Sequence, residues 1–133
     1  MNNLIYFKQE YLPKYFKENL LSIIMPVFNG ERFLSDAIES LLNQTYKNIE
    51  IIILDNISTD KTAEICKKFL DQDKRIRYVL DSKRRNPHDA ANKLSEYITG
   101  EYCMLACDDD VWESTFAEKL IAVLKENENL SLA

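Results

Sequence analysis

The stretch that decides the fold is residues 102–112, which read Tyr-Cys-Met-Leu-Ala-Cys-Asp-Asp-Asp-Val-Trp. A short apolar run, typical of a strand buried on both faces, ends there in three consecutive carboxylates and a tryptophan. Parallel α/β sheets bind ligands beyond the carboxyl ends of their strands. Adjacent carboxylates repel one another, so this turn favours a nearby cation, and hard divalent metals take oxygen ligands. A solvated acidic turn is the alternative, and three aspartates alone indicate it equally well.

Two further apolar runs end in the same manner. Residues 21–25 (Leu-Ser-Ile-Ile-Met) lead into the Pro-Val-Phe-Asn-Gly segment 26–30, and residues 49–54 (Ile-Glu-Ile-Ile-Ile-Leu) lead into Asp55 and Asn56. If the three runs are strands of one parallel sheet, their carboxyl ends meet at one rim. The sequence therefore predicts a binding site at that rim.

Hydrophobic periodicity predicts alternating strands and helices. The predicted fold class is α/β: a mostly parallel, Rossmann-like sheet flanked by helices. Residues 1–20 are predicted to be an aromatic, partly helical leader, and residues 21–133 the domain itself. Residues 129–133 resemble the opening of another strand, so we expect a sheet truncated there. The predicted strands are 21–26, 49–54, 76–80 and 102–107. The predicted helices are 30–43, one that is capped by Thr59 or Asp60 and runs to about residue 70, 88–99 (closed by Gly100), and one that starts at Ser114 or Thr115 and runs to about residue 125.

Composition excludes several classes of function. The chain has 133 residues, a formal net charge of −5 and 46% hydrophobic residues, as expected of one globular domain. The negative charge argues against a nucleic-acid partner. No apolar run reaches the roughly 18 residues of a membrane span, and the N-terminus lacks a secretory pattern, so we expect a cytoplasmic protein. Cys66, Cys103 and Cys107 are expected to be buried free thiols.

Four ordered stretches resemble the N-terminal half of family 2 glycosyltransferases, which have the GT-A fold. The resemblance runs from about Leu21 to the end of the chain. It implies inverting transfer of a sugar from a nucleoside diphosphate sugar, expected to be a UDP-sugar, with Mn²⁺ or Mg²⁺ as the cofactor. The acceptor implied is a glycan or a lipid-linked sugar. The stretches are residues 22–30, 37–46, 52–62 and 100–112.

The same resemblance assigns roles to individual residues. Asp55 would accept a hydrogen bond from the base, commonly uracil, and Asp108 would lie near the ribose. Asp109 would hold the metal if Trp112 fixes the register, which places Cys107 where the first aspartate of the Asp-x-Asp motif often lies. A register shifted by one residue would instead make Asp110 the ligand. The nucleoside pocket would be lined by Pro26, Val27, Phe28, Asn29 and Glu31.

The chain departs from the family pattern in several places. Asn56, which by the same resemblance would bind the nucleotide, stands where a second aspartate is frequent. Ala91 stands at the usual arginine position beside the matching Asn92. Arg85 could reach a phosphate or the base, because a guanidinium suits both, or it could belong to a solvated basic turn. His88 is expected to be a surface residue at a helix start.

Three hypotheses remain open from sequence. The first is a glycosyltransferase seen as its donor-binding half, whose general base and acceptor pocket lie in the family's second half. The second is a catalytically inactive module that binds nucleotide or forms a homo-oligomer covering the unfinished sheet edge. The third, a receiver-type signalling domain, expects an acidic pair after the first strand, whereas this strand ends in Pro-Val-Phe-Asn.

Overall fold

The structure, a computed structural model, describes residues 7–8 and 16–131. Its five strands are β1 (Phe7–Lys8), β2 (Lys17–Val27), β3 (Ile49–Asp55), β4 (Ile76–Leu80) and β5 (Gly100–Leu105). Its four helices are α1 (Leu34–Leu42), α2 (Thr62–Gln72), α3 (Pro87–Ser95) and α4 (Phe116–Glu126). Within these described residues, no helix is both long and apolar enough to cross a membrane.

The strands form one sheet in the order β1-β5-β2-β3-β4. The four strands β5, β2, β3 and β4 are parallel, and the short β1 pairs antiparallel with β5. Val27, the last residue of β2, is level with Asp55, the last residue of β3. The predicted α/β fold with a mostly parallel sheet is confirmed, and the loops after β2 and β3 begin side by side.

Both faces of the sheet are covered by helices. The larger apolar core packs α1, α2 and α4 against one face, with Leu34, Ile38 and Ile121 among its fully buried members. The opposite face packs against α3 through Ala90 and Leu94. Because the central strands are buried on both faces, they read as continuous apolar runs, and β3 is buried at every position.

Several predicted boundaries were displaced. β2 begins at Lys17 instead of residue 21, so the end of the predicted leader is a strand rather than a helix. Helix α1 begins at Leu34, since residues after Gly30 first form a turn whose amides bond to the Gly30 carbonyl. Residues 128–131 form turns instead of the predicted strand, and residues 132–133 lie outside the described part of the chain.

Gly100 has a different role from the predicted helix C-terminal residue. It is the first residue of β5, and a Cβ at this position would collide with the Leu20 carbonyl oxygen and the Ser22 hydroxyl. Helix α3 ends at Ser95, and residues 96–99 connect it to the strand. The glycine is needed because the backbone of β5 approaches β2 closely.

A buried glutamate joins the amino ends of the strands on the α3 side. Glu50 is 9% exposed, and its Oε1 accepts hydrogen bonds from the Ser22 hydroxyl (2.6 Å) and the Thr99 hydroxyl (2.7 Å). Arg77 lies 3.3 Å from its Oε2. Burial raises the pKa of Glu50, but the hydrogen bonds from Ser22 and Thr99 and the charge of Arg77 outweigh it, so the pKa is lowered.

We expect this lowered pKa to make the fold acid-sensitive. A carboxyl whose pKa is lower in the folded state stabilises the fold above its unfolded pKa, about 4.3, and this stabilisation is lost as pH falls through the folded-state value. Glu50→Gln should therefore reduce stability at pH 7 and flatten its decline below about pH 5, measured by urea unfolding. Glu126→Gln, an exposed control, should keep the wild-type slope. Identical slopes in all three proteins would contradict this role of Glu50.

Candidate functional site

The loops after β2 and β3 are joined by reciprocal hydrogen bonds. The Asn29 amide donates to the Ser58 hydroxyl (2.9 Å), and the Asn29 Oδ1 accepts from the Thr59 amide (2.8 Å). The Glu31 amide donates to Asp60 (3.0 Å), and the Glu31 carboxylate accepts from the Lys61 amide (3.1 Å). Asn29 and Glu31, two of the predicted pocket residues, thus use their side chains to fix the rim, and neither is among the residues lining the cavity described below.

Asp55 lies at the centre of the rim and faces inward. Asp55 is 1% exposed. Its two carboxylate oxygens accept hydrogen bonds from the Ser58 amide (2.8 Å) and the Tyr78 hydroxyl (2.7 Å). Burial and the Asp55 carboxylate together raise the pKa of Tyr78. Tyr78, which the sequence analysis did not single out, therefore remains a hydrogen-bond donor to Asp55. A bond from Asp55 to a ligand would be additional to these two.

Asn56 and Arg85 contact each other through an unusual pairing. The Asn56 side-chain amide donates to the Arg85 carbonyl (2.7 Å), and its oxygen accepts from the Arg85 amide (2.7 Å). The Arg85 side chain turns to Asp81, with 2.7 Å between Nε and Oδ2. Burial raises the pKa of Asp81, but the hydrogen bond from Arg85 and those from nearby amides outweigh it and lower that pKa. The guanidinium predicted to contact the nucleotide is thus held by a buried carboxylate.

A cavity of about 320 Å³ opens on the α3 side of this rim. The predicted residues Pro26, Val27, Phe28, Asn56, Asp108 and Asp109 line it. Residues not predicted to bind also line it, because the first turns of α3 and the end of β5 close the space: Pro87, Ala90, Ala91, Leu105, Ala106 and Cys107. Ala91, at the position where the family usually has arginine, leaves part of this space open.

Asp108 lies inside the rim. A Cβ on Gly30 would come within 2.5 Å of its Oδ2, so any other residue at position 30 would displace this carboxylate. Burial is the largest cause that raises the pKa of Asp108, and the negative charges of Asp109, Asp110 and Asp60 raise it further. The carboxylate is held close to like charges, which is the environment in which a cation or a hydrogen-bond donor from a ligand is favourable.

Helix α1 holds the acidic turn that follows β5. The Ser40 hydroxyl accepts from the Trp112 amide (3.1 Å), and the Gln44 side chain donates to the Glu113 carbonyl (2.8 Å). The oxygen of Gln44 accepts from the Ala117 amide (3.0 Å) at the start of α4. The sequence analysis assigned no role to Ser40, which is half-buried in α1, or to Gln44, which is buried two residues after α1 ends.

Cys107, Asp109 and Asp110 form a group whose ligand atoms lie within 4.8 Å of one another. Cys107 is exposed, so the expectation that all three cysteines are buried is wrong for this one, while Cys66 and Cys103 are buried free thiols as predicted. Burial of its sulfur and the three neighbouring aspartates raise the pKa of Cys107. The residues fit a hard divalent ion through their two carboxylates, since a protonated thiol is a poor ligand for Mg²⁺ or Mn²⁺.

Two residues lie away from this group. His88 is an exposed residue in the first turn of α3, with a side chain that is 83% exposed, as the sequence predicts. Arg84, which the sequence analysis did not single out, places its guanidinium carbon 3.2 Å from the centre of the Phe28 ring. Phe28 lines the cavity, so the cation stacked on it belongs to the residue next to the predicted Arg85 and contacts a lining residue without being one itself.

Comparison of the sequence with known proteins identifies the family to which this chain is similar. A family profile described as glycosyl transferase family 2 matches residues 22–132. An uncharacterised glycosyltransferase of Haemophilus influenzae is 39% identical over 108 residues, which are 81% of this chain and 43% of that protein. The Escherichia coli protein WfgD, a UDP-Glc:alpha-D-GlcNAc-diphosphoundecaprenol beta-1,3-glucosyltransferase, is 32% identical over 81% of this chain and 42% of its own length. The chain thus spans less than half the length of these relatives.

Solved structures show the same fold. The Staphylococcus aureus TarS fragment 1–349 in complex with UDP superposes with a TM-score of 0.75 at 22% identity, covering 81% of this chain and 32% of that one. A Pyrobaculum calidifontis mannosyltransferase in complex with GDP-Man and Mn²⁺ superposes with a TM-score of 0.65 at 22% identity, covering 69% and 28%. Because the family profile covers most of the chain, this chain belongs to glycosyl transferase family 2, and its parallel sheet flanked by helices is the Rossmann-like part of the GT-A fold.

Proposed function

We propose that this chain forms the donor-binding part of a glycosyltransferase that uses a nucleoside diphosphate sugar, with UDP as the nucleotide. The observation that carries the proposal is the continuity between the cavity and the acidic turn. Asp109 both lines the cavity and belongs to the group of three potential metal ligands. A nucleoside in the cavity would place its diphosphate beside the acidic turn, where Asp109 and Asp110 would hold a divalent ion that would offset the negative charge of the diphosphate.

Properties of similar proteins support the choice of ligand. The TarS structure contains UDP, and the archaeal mannosyltransferase structure contains GDP-Man and Mn²⁺. WfgD is named for UDP-Glc as donor and a diphosphoundecaprenol-linked sugar as acceptor. We accordingly propose Mn²⁺ or Mg²⁺ as the cofactor, inverting transfer as the reaction, and a glycan or lipid-linked sugar as the acceptor.

The residues of this chain would act mainly by binding and orientation. Asp109 and Asp110 would hold the ion, which stabilises the negative charge of a departing diphosphate. Asp108, held against Gly30, would accept a hydrogen bond from the ribose, and Phe28 would offer its ring to the nucleoside. Inverting transfer also requires a general base that activates the acceptor hydroxyl, and among the described residues we assign none.

A second candidate function is a module that binds nucleotide or self-associates without turnover. Its support is that edge strand β4 ends in Leu80, which is 62% exposed. Turnover with a complete set of sugar donors would contradict it, and a melting temperature that rises with protein concentration would favour it.

We expect calorimetric titration to detect one nucleotide that binds only with Mn²⁺. The titrants are UDP, GDP, CDP and ADP, each with and without the metal, and UDP is expected to bind. The metal is required because the acidic turn would otherwise repel the diphosphate. Absence of binding by all four nucleotides to folded protein would overturn the proposed function.

Replacement of single aspartates should identify the metal ligand. Asp109→Ala is expected to weaken Mn²⁺-dependent UDP binding by about tenfold or more, because a carboxylate ligand is lost. Its melting temperature without metal should not fall, since the side chain is exposed and its removal relieves repulsion between adjacent carboxylates. Asp110→Ala is the matched comparison in the same titration. If only Asp110→Ala weakens binding, Asp110 is the ligand and the register fixed by Trp112 is off by one residue.

Replacing the thiol by a carboxylate should strengthen metal binding. Cys107→Asp adds a third hard ligand to a group already within 4.8 Å, so Mn²⁺ should raise its melting temperature more than that of the wild type. Without metal the variant should have a lower melting temperature than the wild type, because four consecutive carboxylates then repel one another. Cys107→Ser, which adds no charge, is the control. An equal Mn²⁺-induced shift in all three proteins would show that position 107 does not face the ion.

A further inference from the structure

The basic loop, residues 83–86 (Lys-Arg-Arg-Asn), is fastened to the sheet by one side chain. Asn56, 5% exposed at the end of β3, makes two 2.7 Å hydrogen bonds to the backbone of Arg85. One bond needs a donor and the other needs an acceptor. An asparagine side chain supplies both, whereas an ionised aspartate supplies only acceptors and would face the Arg85 carbonyl with a lone pair. This pairing explains why asparagine suits a position at which the family frequently has aspartate.

The side chains of the two arginines in the basic loop contact different residues. The Arg85 side chain points to Asp81, at 2.7 Å. The Arg84 guanidinium lies over the ring of Phe28, and Phe28 is one of the residues that line the cavity. Within residues 16–131, no ion pair is formed by Arg84. Of the two arginines, Arg84 is therefore the one whose charge is available to a ligand.

Stacking on an aromatic ring prepares a guanidinium to donate hydrogen bonds to a ligand. The contact uses the flat face of the guanidinium and leaves its edge, where all the N–H groups lie, free to donate in the plane. It also restricts a long side chain before any ligand arrives, which lowers the entropy cost of binding. Asp108 and Asp109, the charged residues that line the cavity, are both acidic. A guanidinium beside the cavity would therefore attract ligand oxygens that these carboxylates repel.

We propose that Asn56 is a positioning residue that holds the basic loop so that Arg84, stacked on Phe28, donates hydrogen bonds to oxygen atoms of the bound nucleotide. This inference rests on the proposed function, and it replaces Arg85 by Arg84 as the nucleotide-contacting arginine. Two groups of a UDP molecule offer such oxygens: the carbonyls of the base and the diphosphate. A guanidinium suits either, so the test distinguishes them.

The test is calorimetric titration of the full chain with UDP, CDP and uridine in the presence of Mn²⁺. Arg84→Gln should weaken UDP binding about tenfold, since a charged hydrogen-bond donor is lost. Lys83→Gln, which removes the same charge from the adjacent exposed residue, should bind UDP within about twofold of the wild type. Asn56→Asp should weaken UDP binding about three- to tenfold by releasing the loop.

The double variant tests positioning directly. If Asn56 acts through Arg84, adding Asn56→Asp to Arg84→Gln should weaken UDP binding by much less than it does in the wild type. A merely structural role of Asn56 would give additive losses instead and would overturn the positioning role. Arg84→Gln alters an exposed side chain, so the contact with the nucleotide stays testable even if Asn56→Asp fails to fold.

The three ligands together identify which oxygen atoms of the nucleotide Arg84 contacts. Loss of affinity for UDP and CDP alike, with uridine unaffected, would assign Arg84 to the diphosphate. Loss for UDP and uridine, with CDP unaffected, would assign it to the base carbonyl that cytosine replaces by an amine. Unchanged UDP binding by Arg84→Gln, in a chain whose wild type binds UDP, would overturn this inference alone. Failure of the wild type to bind any nucleotide would overturn the proposed function and this inference with it.

Discussion

The register between β2 and β3 is the constraint on which the site depends. Val27 and Asp55 end their strands at the same level, so the two following loops leave the sheet together. The Asn56 amide then bonds to the Val27 carbonyl (2.8 Å), and the Asp81 amide bonds to the Asp55 carbonyl (2.9 Å), which extends the pairing beyond the strands. A slip of one residue would turn Asp55 and Asn56 to the opposite faces of the sheet. Asn56 would then no longer line the cavity or bond to the Arg85 backbone, and Tyr78 would lose its hydrogen bond to Asp55.

Carboxylates at the rim fall into two groups with different surroundings. Asp55, Asp60 and Asp81 accept hydrogen bonds from nearby amides and hydroxyls, so their charges are balanced within the protein. The acidic turn has fewer internal donors, and the pKa of Asp108 is raised by burial and by like charges. A folded domain can carry such a turn because the apolar core supplies its stability elsewhere. The rim thus separates residues that hold the loops from residues left for a ligand.

Sequence reasoning succeeded where local pattern controls structure and failed where contacts across the chain control it. The apolar runs gave strands β3 and β4 within a residue of their observed ends, because burial on both faces demands continuous hydrophobicity. Gly100 was misread as a helix end, since the collision that requires glycine involves Leu20, which is distant in sequence. Cys107 was expected to be buried because it follows apolar residues, yet the chain leaves the sheet just before it.

The sequence by itself determined the α/β class, the family and the strands whose carboxyl ends form the rim. Each of these depends on the order of polar clusters after apolar runs, which one-dimensional information contains. Only the tertiary structure decided that Arg85 pairs with Asp81 while Arg84 stacks on Phe28, that Ser40 and Gln44 hold the acidic turn, and that Asn29 and Glu31 tie two loops together. The physical reason is that hydrogen bonding and stacking depend on side-chain direction, and residues next to each other in sequence can point to different partners.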